Sequence, residues 1–176
     1  MAYTSQVGGN LAFFTASACK VTYKSRACGH TEGGVTVNIK HKLREQKCDE
    51  HGDNTVDTVH VGDDVTVQTR FKEKTIETIQ TVYLHGGSIS SSMWGIGKVP
   101  GTKGSSLAGT LLLHPLDGTS TKDDITIHKA IVFDQGAVQF GDVNQDRVFD
   151  CTFKGLIDET QTTYLIAKFG SSLAQS

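Results

Sequence analysis

Apolar and polar residues alternate with a period of two along most of this chain, and this alternation constrains the fold more than any other feature. Val35, Val37 and Ile39 alternate with polar residues, and the same pattern returns over residues 149–153. Because successive side chains of a β-strand point to opposite faces, the alternation predicts half-buried strands. Further candidate strands cover residues 56–61, 65–71, 107–114, 125–133, 137–140 and 164–169.

Turn signals separate these candidate strands. They are Gly33-Gly34, Gly62-Asp63-Asp64, Asp117-Gly118 and Gly141-Asp142. Strands joined by polar turns predict a mostly β fold, an antiparallel β-sandwich or barrel. The length of 176 residues suits one domain over residues 1–176, with 1–20 as an N-terminal arm and 170–176 as a C-terminal tail.

One segment breaks the alternation and predicts a single flanking α-helix over about residues 75–84. Its apolar side chains lie three and four positions apart, and they are Ile76, Ile79, Val82 and Tyr83. Thr75 can cap the first turn, because a threonine hydroxyl accepts a hydrogen bond from a free backbone N–H. We expect this helix to cover one face or one open edge of the sheet.

The next segment, residues 85–106, is rich in glycine and serine and predicts a long loop. It contains the only tryptophan, Trp94, close to Met93, Ile96 and Val99. Two interpretations of Trp94 stay open. It packs on the core of its own domain, as large aromatic residues often do, or it docks on a neighbouring subunit together with those three residues.

Composition and charge exclude several classes of protein. Hydrophobic residues make up 37% of the chain and charged residues 20%, which excludes a disordered chain. The apolar runs are too short for a membrane-spanning helix. The formal net charge of −2 argues against nucleic acid held by a basic surface. Residues 11–19 look superficially like an export signal, but Lys20 follows them instead of preceding them, so we expect a mature arm.

The cysteines and histidines form no recognisable metal-binding motif. Cys19, Cys28, Cys48 and Cys151 include no CxxC pair, so we expect reduced thiols packed as small apolar groups. The seven histidines show neither HxH nor HExxH spacing, and no zinc site is predicted from them. Residues 142–146 open like a calcium loop, but Arg147 and Phe153 occupy the positions that need glycine and glutamate.

No motif for catalysis is found either. The glycines of residues 95–104 do not form a phosphate-binding loop, and there is no GxSxG sequence. The sequence therefore predicts a protein that is not an enzyme, with no catalytic residues, no cofactor and no metal.

The order and spacing of the segments, more than any one motif, resemble a known family. The segments are Gly33–Lys40, Leu43–Asp49, Thr55–Asp57, Val61–Val67, Phe71–Ile79, Leu111–Leu116, Asp123–Ala130 and Arg147–Gly155. Over residues 33–169 this succession resembles the major tail-tube proteins of long-tailed, siphophage-like bacteriophages and related virion structural proteins. Residues 85–106 match nothing in that pattern.

The resemblance implies a β-sandwich or barrel with one flanking helix, which self-assembles as hexameric rings stacked into a hollow tail tube. It implies a structural protein of the virion, present in the host cytoplasm before assembly, with no catalytic residue and no cofactor. The implied partners are further copies of the chain, the tape-measure, baseplate and terminator proteins, and DNA that passes without specific binding during ejection. No membrane partner is implied.

Candidate residues follow from this expectation. Candidate inter-subunit contacts are Phe13, Phe14, Met93, Trp94, Ile96 and Val99. Asp49, Glu50 and Asp53 lie in one polar loop, where they either line the bore and repel DNA or face outside solvent.

Alternatives stay open. The chain could be another tail component on the same fold, such as a baseplate tube initiator, a tail terminator or a secretion-system tube subunit. It could also be a β-sandwich module that binds carbohydrate or a receptor, although one Trp and four Tyr are a thin supply of aromatic residues for that role.

Overall fold

The alternating segments form an antiparallel β-structure in the computed structural model, which describes residues 18–72, 75–116, 123–138, 148–161 and 165–170. The strands are β1 Cys19–Tyr23, β2 Arg26–Ala27, β3 Thr31–Lys47, β4 Thr55–Phe71, β5 Gly86–Ser90, β6 Met93–Ile96, β7 Gly109–Pro115, β8 Ile125–Val138, β9 Phe149–Gly155 and β10 Ala167–Phe169. The helices are α1 Ile76–Val82 and α2 Gly104–Leu107. The predicted mostly β class with a flanking helix is confirmed.

Most of the strands belong to one sheet, in the order β2-β1-β7-β8-β9-β4-β3, with β10 also paired to β8. Strand β8 changes partners along its length. Near Ile127 it lies between β7 and β10, and from Ala130 onward it pairs with β9. The β1–β7 half and the β9–β4 half of the sheet face each other, and their inner side chains form one buried cluster. This arrangement is compatible with the predicted sandwich.

The core lies between these two halves, and Tyr23 from β1 links them. Its ring lies 5.2 Å from the ring of Phe153 in β9, centroid to centroid. Its hydroxyl donates to the carbonyl oxygens of Ala130 at 3.1 Å and Leu107 at 3.2 Å. The phenol is therefore buried without an unpaired donor, which removes the main cost of placing a polar group in a core.

Helix α1 begins where the sequence predicted, but it buries a different face. The hydroxyl of Thr75 accepts a hydrogen bond from the backbone N–H of Thr78 at 3.2 Å, as an N-cap does. The buried residues are Thr78, Thr81 and Val82. Of the predicted apolar face, Val82 is buried as expected, whereas Ile76, Ile79 and Tyr83 are only half-buried.

The threonines of α1 can be buried because their hydroxyls bond within the helix itself. Thr81 Oγ1 donates to the carbonyl oxygen of Glu77 at 2.9 Å, and Thr78 Oγ1 shares a hydrogen bond with Thr75 Oγ1 at 2.9 Å. A hydrogen-bonded threonine costs little to bury, and its methyl group packs like that of valine.

Two predicted turns are β-bulges inside long strands. Gly33 and Gly34 lie within β3 at a register shift, with φ of +73° and +85°. Gly62 lies within β4 next to a second shift and has φ of +154°. A bulge and a turn both favour a residue that accepts positive φ, so their sequence signals coincide. The separate strands predicted at 56–61 and 65–71 are therefore one strand of 17 residues.

Two further expectations need correction. Residues 85–106 are not one irregular loop, because they contain the β5–β6 hairpin and the start of α2. The N-terminal arm predicted for residues 1–20 overlaps β1, in which Val21 and Tyr23 are fully buried. Phe13 and Phe14, the turns at 117–118 and 141–142, the calcium-like residues 142–146 and the tail beyond residue 170 lie outside the described residues.

Neither helix of the described part of the chain has the length and apolar character needed to cross a bilayer.

The four cysteines are free thiols in three environments. Cys28 and Cys151 are buried, as predicted, whereas Cys19 is half-buried. Cys48 is exposed, so the prediction that all four pack as apolar groups was wrong for this residue. Burial raises the pKa of Cys28 to about 11 and also raises the pKa of Cys151 strongly.

We expect these environments to appear as an order of thiol reactivity. The thiolate is the reactive form, and the raised pKa keeps Cys28 protonated at about pH 8. In the native protein an aromatic disulfide reagent should therefore modify Cys48 first, and Cys28 and Cys151 only after unfolding. Mass spectrometry of peptides from timed samples measures the order, and Cys48→Ser should remove the fast phase. Equal rates for Cys28 and Cys48 in native protein would contradict the assigned burial.

Candidate functional site

The hairpin formed by β3 and β4 extends beyond the rest of the sheet. Strand β4 pairs with β9 only from Thr66 to Phe71. Over residues 40–64, which we call the arm, the described part of the chain offers β3 and β4 no strand partner other than each other. The part of β3 that belongs to the arm, residues 40–47, is eight residues long, which makes the arm roughly 25 Å long.

The arm is exposed on both faces. Every residue from 39 to 58 is exposed, and none from 39 to 64 is buried. Its surface includes large apolar side chains: Leu43 is 59% exposed, Val56 55% and Val61 58%. An isolated two-stranded hairpin is at best marginally stable in water, and apolar side chains on it gain from being covered. These features are typical of a segment that packs against another chain.

The arm also has two free edges. Strand β3 ends the sheet order, so its outer edge has no strand partner within the described residues. From residue 55 to residue 65, the edge of β4 that faces away from β3 is unpaired within the described residues. Unpaired N–H and C=O groups along an edge are a template for a strand of another chain.

The acids predicted to line a bore or face solvent lie together at the arm's tip. Asp49 and Glu50 begin a short 3-10 turn, and Asp53 follows in the next turn. All three are exposed. The structure therefore places them on one projecting end, where their negative charges add.

Two histidines and a carboxylate meet near the base of the arm. His41 Nδ1 lies 2.6 Å from Asp63 Oδ1, and His60 Nε2 lies 2.9 Å from the same oxygen. The hydrogen bonds from His60 and His41 hold the pKa of Asp63 below its usual value. We call these three residues the His–Asp cluster.

Sequence reasoning missed this cluster because its members come from two strands. Spacing within one strand or one motif does not reveal it, because His41 and His60 meet only through the pairing of β3 with β4. The usable signal was the strand register, in which His41 lies opposite Asp63. That register depends on the bulge near Gly62, which the sequence had indicated as a turn.

A second histidine–carboxylate pair has a structural role. His114 Nδ1 bonds to Asp124 Oδ1 and links the end of β7 to the start of β8. Asp124 is buried, with 7% of its surface exposed. The His–Asp cluster of the arm is open to solvent by contrast, so its atoms are accessible to a ligand.

The β5–β6 hairpin carries the other predicted contact residues. Trp94 is half-buried, and its indole N–H donates to the carbonyl oxygen of Tyr83 at 2.9 Å. It therefore contacts its own chain, and its exposed part leaves it a candidate for contact with another subunit, so both interpretations stay open. Met93 is 55% exposed, Ile96 73% and Val99 77%. These three stay candidates for contact with another subunit.

Comparison with known proteins does not assign this chain to a family. No model of a known protein family matches it, and no curated protein is significantly similar to it in sequence. The function is therefore argued from the geometry described above and from the resemblance in the order of its segments.

We expect the contact between Trp94 and its own chain to depend on Gly86. A Cβ at Gly86 would overlap the indole nitrogen of Trp94 and the backbone oxygen of Gly95, whereas a Cβ at Gly87 would meet nothing. Gly86→Ala should cost about 1–3 kcal/mol, as overpacking does, and Gly87→Ala should change stability by less than about 0.5 kcal/mol. Urea unfolding followed by the emission of the single tryptophan tests both variants. Equal stabilities would contradict the packing of Trp94.

Proposed function

We propose that this chain is the structural subunit of a phage tail tube, and that it self-assembles into stacked rings around a channel through which DNA passes. The observation that carries the proposal is the arm, a hairpin with two free edges and exposed apolar side chains, beside which the described residues place no further strand. The resemblance in segment order supplies the identity of the assembly and its expected hexameric ring.

The geometry of the arm suits a closed ring. In a ring all the arms point the same way, so β3 of one subunit runs antiparallel to β4 of the next, as neighbouring strands of a hairpin array do. The edge of β3 and the edge of β4 are different surfaces, and contacts between different surfaces are head-to-tail contacts that close into rings. Arms paired in this manner form a barrel, which leaves no strand edge exposed.

The acids at the arm's tip support a conduit for DNA. In such a barrel Asp49, Glu50 and Asp53 gather at one rim. Duplex DNA carries one negative charge per roughly 1.7 Å of its axis, so carboxylates at the rim repel the phosphates and let the duplex slide. The net charge of −2 is in keeping with passage without specific binding.

Electron microscopy of the purified protein tests the assembly. We expect rings or hollow tubes in negative stain once the concentration is raised, with a matching rise in light scattering. Isolated rings without stacking would favour a tube initiator or a terminator over the major tube subunit. A monodisperse monomer at every concentration would count against self-assembly.

Substitutions on the arm test the surface used. Leu43→Lys and Val61→Lys alter exposed side chains, so each should leave the free energy of unfolding within about 0.5 kcal/mol of wild type. Covering either apolar side chain contributes about 1–2 kcal/mol, so each variant should need about five- to thirtyfold more protein to assemble.

The matched control is Leu116→Lys, because Leu116 is 60% exposed and lies beside His30 and Thr31, at the end of β3 opposite the arm. Its assembly should resemble that of wild type. Unchanged assembly of both arm variants would contradict the use of the arm as an interface.

A further inference from the structure

The His–Asp cluster brings three potential metal ligands to one point on the arm. The donor atoms of His41, His60 and Asp63 all lie within 4.8 Å of one another. A tetrahedral zinc ion with bonds of 2.0–2.2 Å needs donor atoms about 3.4 Å apart. The two measured contacts to Asp63, 2.6 Å and 2.9 Å, therefore have only to open slightly. Exposed side chains can make that change by small rotations about their own bonds.

The bulge in β4 builds this arrangement. His41 is paired with Asp63, and two residues further along β3, Leu43 is paired with His60. Paired residues share a face of the sheet, so His41, Asp63 and His60 lie on the same face. Val61 is the extra residue that the register shift leaves without a partner. In a regular ladder Val61 would take the place opposite Leu43, and His60 would point to the other face.

The ligand atoms of these three side chains favour some metal ions over others. Imidazole nitrogen suits zinc, copper, nickel and iron, whereas calcium and magnesium prefer sites made only of oxygen ligands. Two histidines and one carboxylate leave at least one coordination position for water or for a group from another chain. The three side chains are partly exposed, between 35% and 68%, so an ion can reach them from solvent.

We propose that His41, His60 and Asp63 form a binding site for a divalent transition-metal ion such as Zn²⁺, which links β3 to β4 near the base of the arm. On binding, the two ring nitrogens that face Asp63 become metal ligands. In each ring the proton is then carried by the nitrogen that faces away from Asp63. That N–H group can donate a hydrogen bond to water. The ion thus replaces one hydrogen bond across the hairpin, His41 to Asp63, and one within β4, His60 to Asp63, with three metal bonds.

Calorimetric titration with Zn²⁺ tests the site, on full-length protein freed of metal and kept too dilute to assemble. One equivalent should bind, and the backbone amide signals that shift in NMR spectra should cluster around residues 41, 60 and 63. His41→Gln, His60→Gln and Asp63→Asn should each weaken binding at least about tenfold. Because the monomer is sufficient for this titration, its result is independent of tube formation.

Two matched controls exclude other ligands on the same arm. His51→Gln removes an exposed histidine at the tip, and Cys48→Ser removes the exposed thiol. Both variants should bind Zn²⁺ like wild type, and Mg²⁺ in large excess should not compete. The proposal is overturned if wild type shows no saturable binding, if binding survives both His41→Gln and His60→Gln, or if a control variant abolishes it.

Discussion

The antiparallel pairing of β3 with β4 is the constraint on which the other features of this molecule depend. At one end of the ladder, Val65 and Val67 belong to the core and pair with Ile39 and Val37 across the hairpin. At the other end the same ladder continues without a core to cover it. The backbone hydrogen bonds are alike at both ends, but only the first end gains from burial. The free end is thus held in shape by the ladder and left open for other contacts.

Much of the fold could be predicted from the sequence because burial imposes a regular pattern. Strand β9 was recognisable since Phe149, Cys151 and Phe153 are buried and their neighbours are not. The prediction from this pattern failed where polar side chains are buried. In α1 the buried threonines satisfy their hydroxyls within the helix, so a rule that equates burial with apolar residues selected a face of which only Val82 is buried.

The candidate site was harder to predict, because it depends on pairing between strands. Glycine at position 62 indicates positive φ but does not say whether the chain reverses there or continues through a bulge. If the chain reversed its direction at residue 62, β4 would end there and His60 would not approach His41. Strand β1 was missed for a related reason. Its inward residues Val21 and Tyr23 are too few to show a period, and their partners lie on β7 and β9.

The position of Tyr23 has a consequence for how the chain reaches this fold. Its hydroxyl bonds to Ala130, 107 residues further along. Apart from the adjacent two-residue strand β2, the strand partner of β1 within the described residues is β7. Contacts between residues so distant in sequence are slow to form, since a large loop must close before the contact repays the lost entropy. On the ribosome, β1 must wait until β7 has emerged. The strands of the local β3–β4 hairpin emerge long before that, so they can pair transiently before β1 docks on β7 and the core is complete.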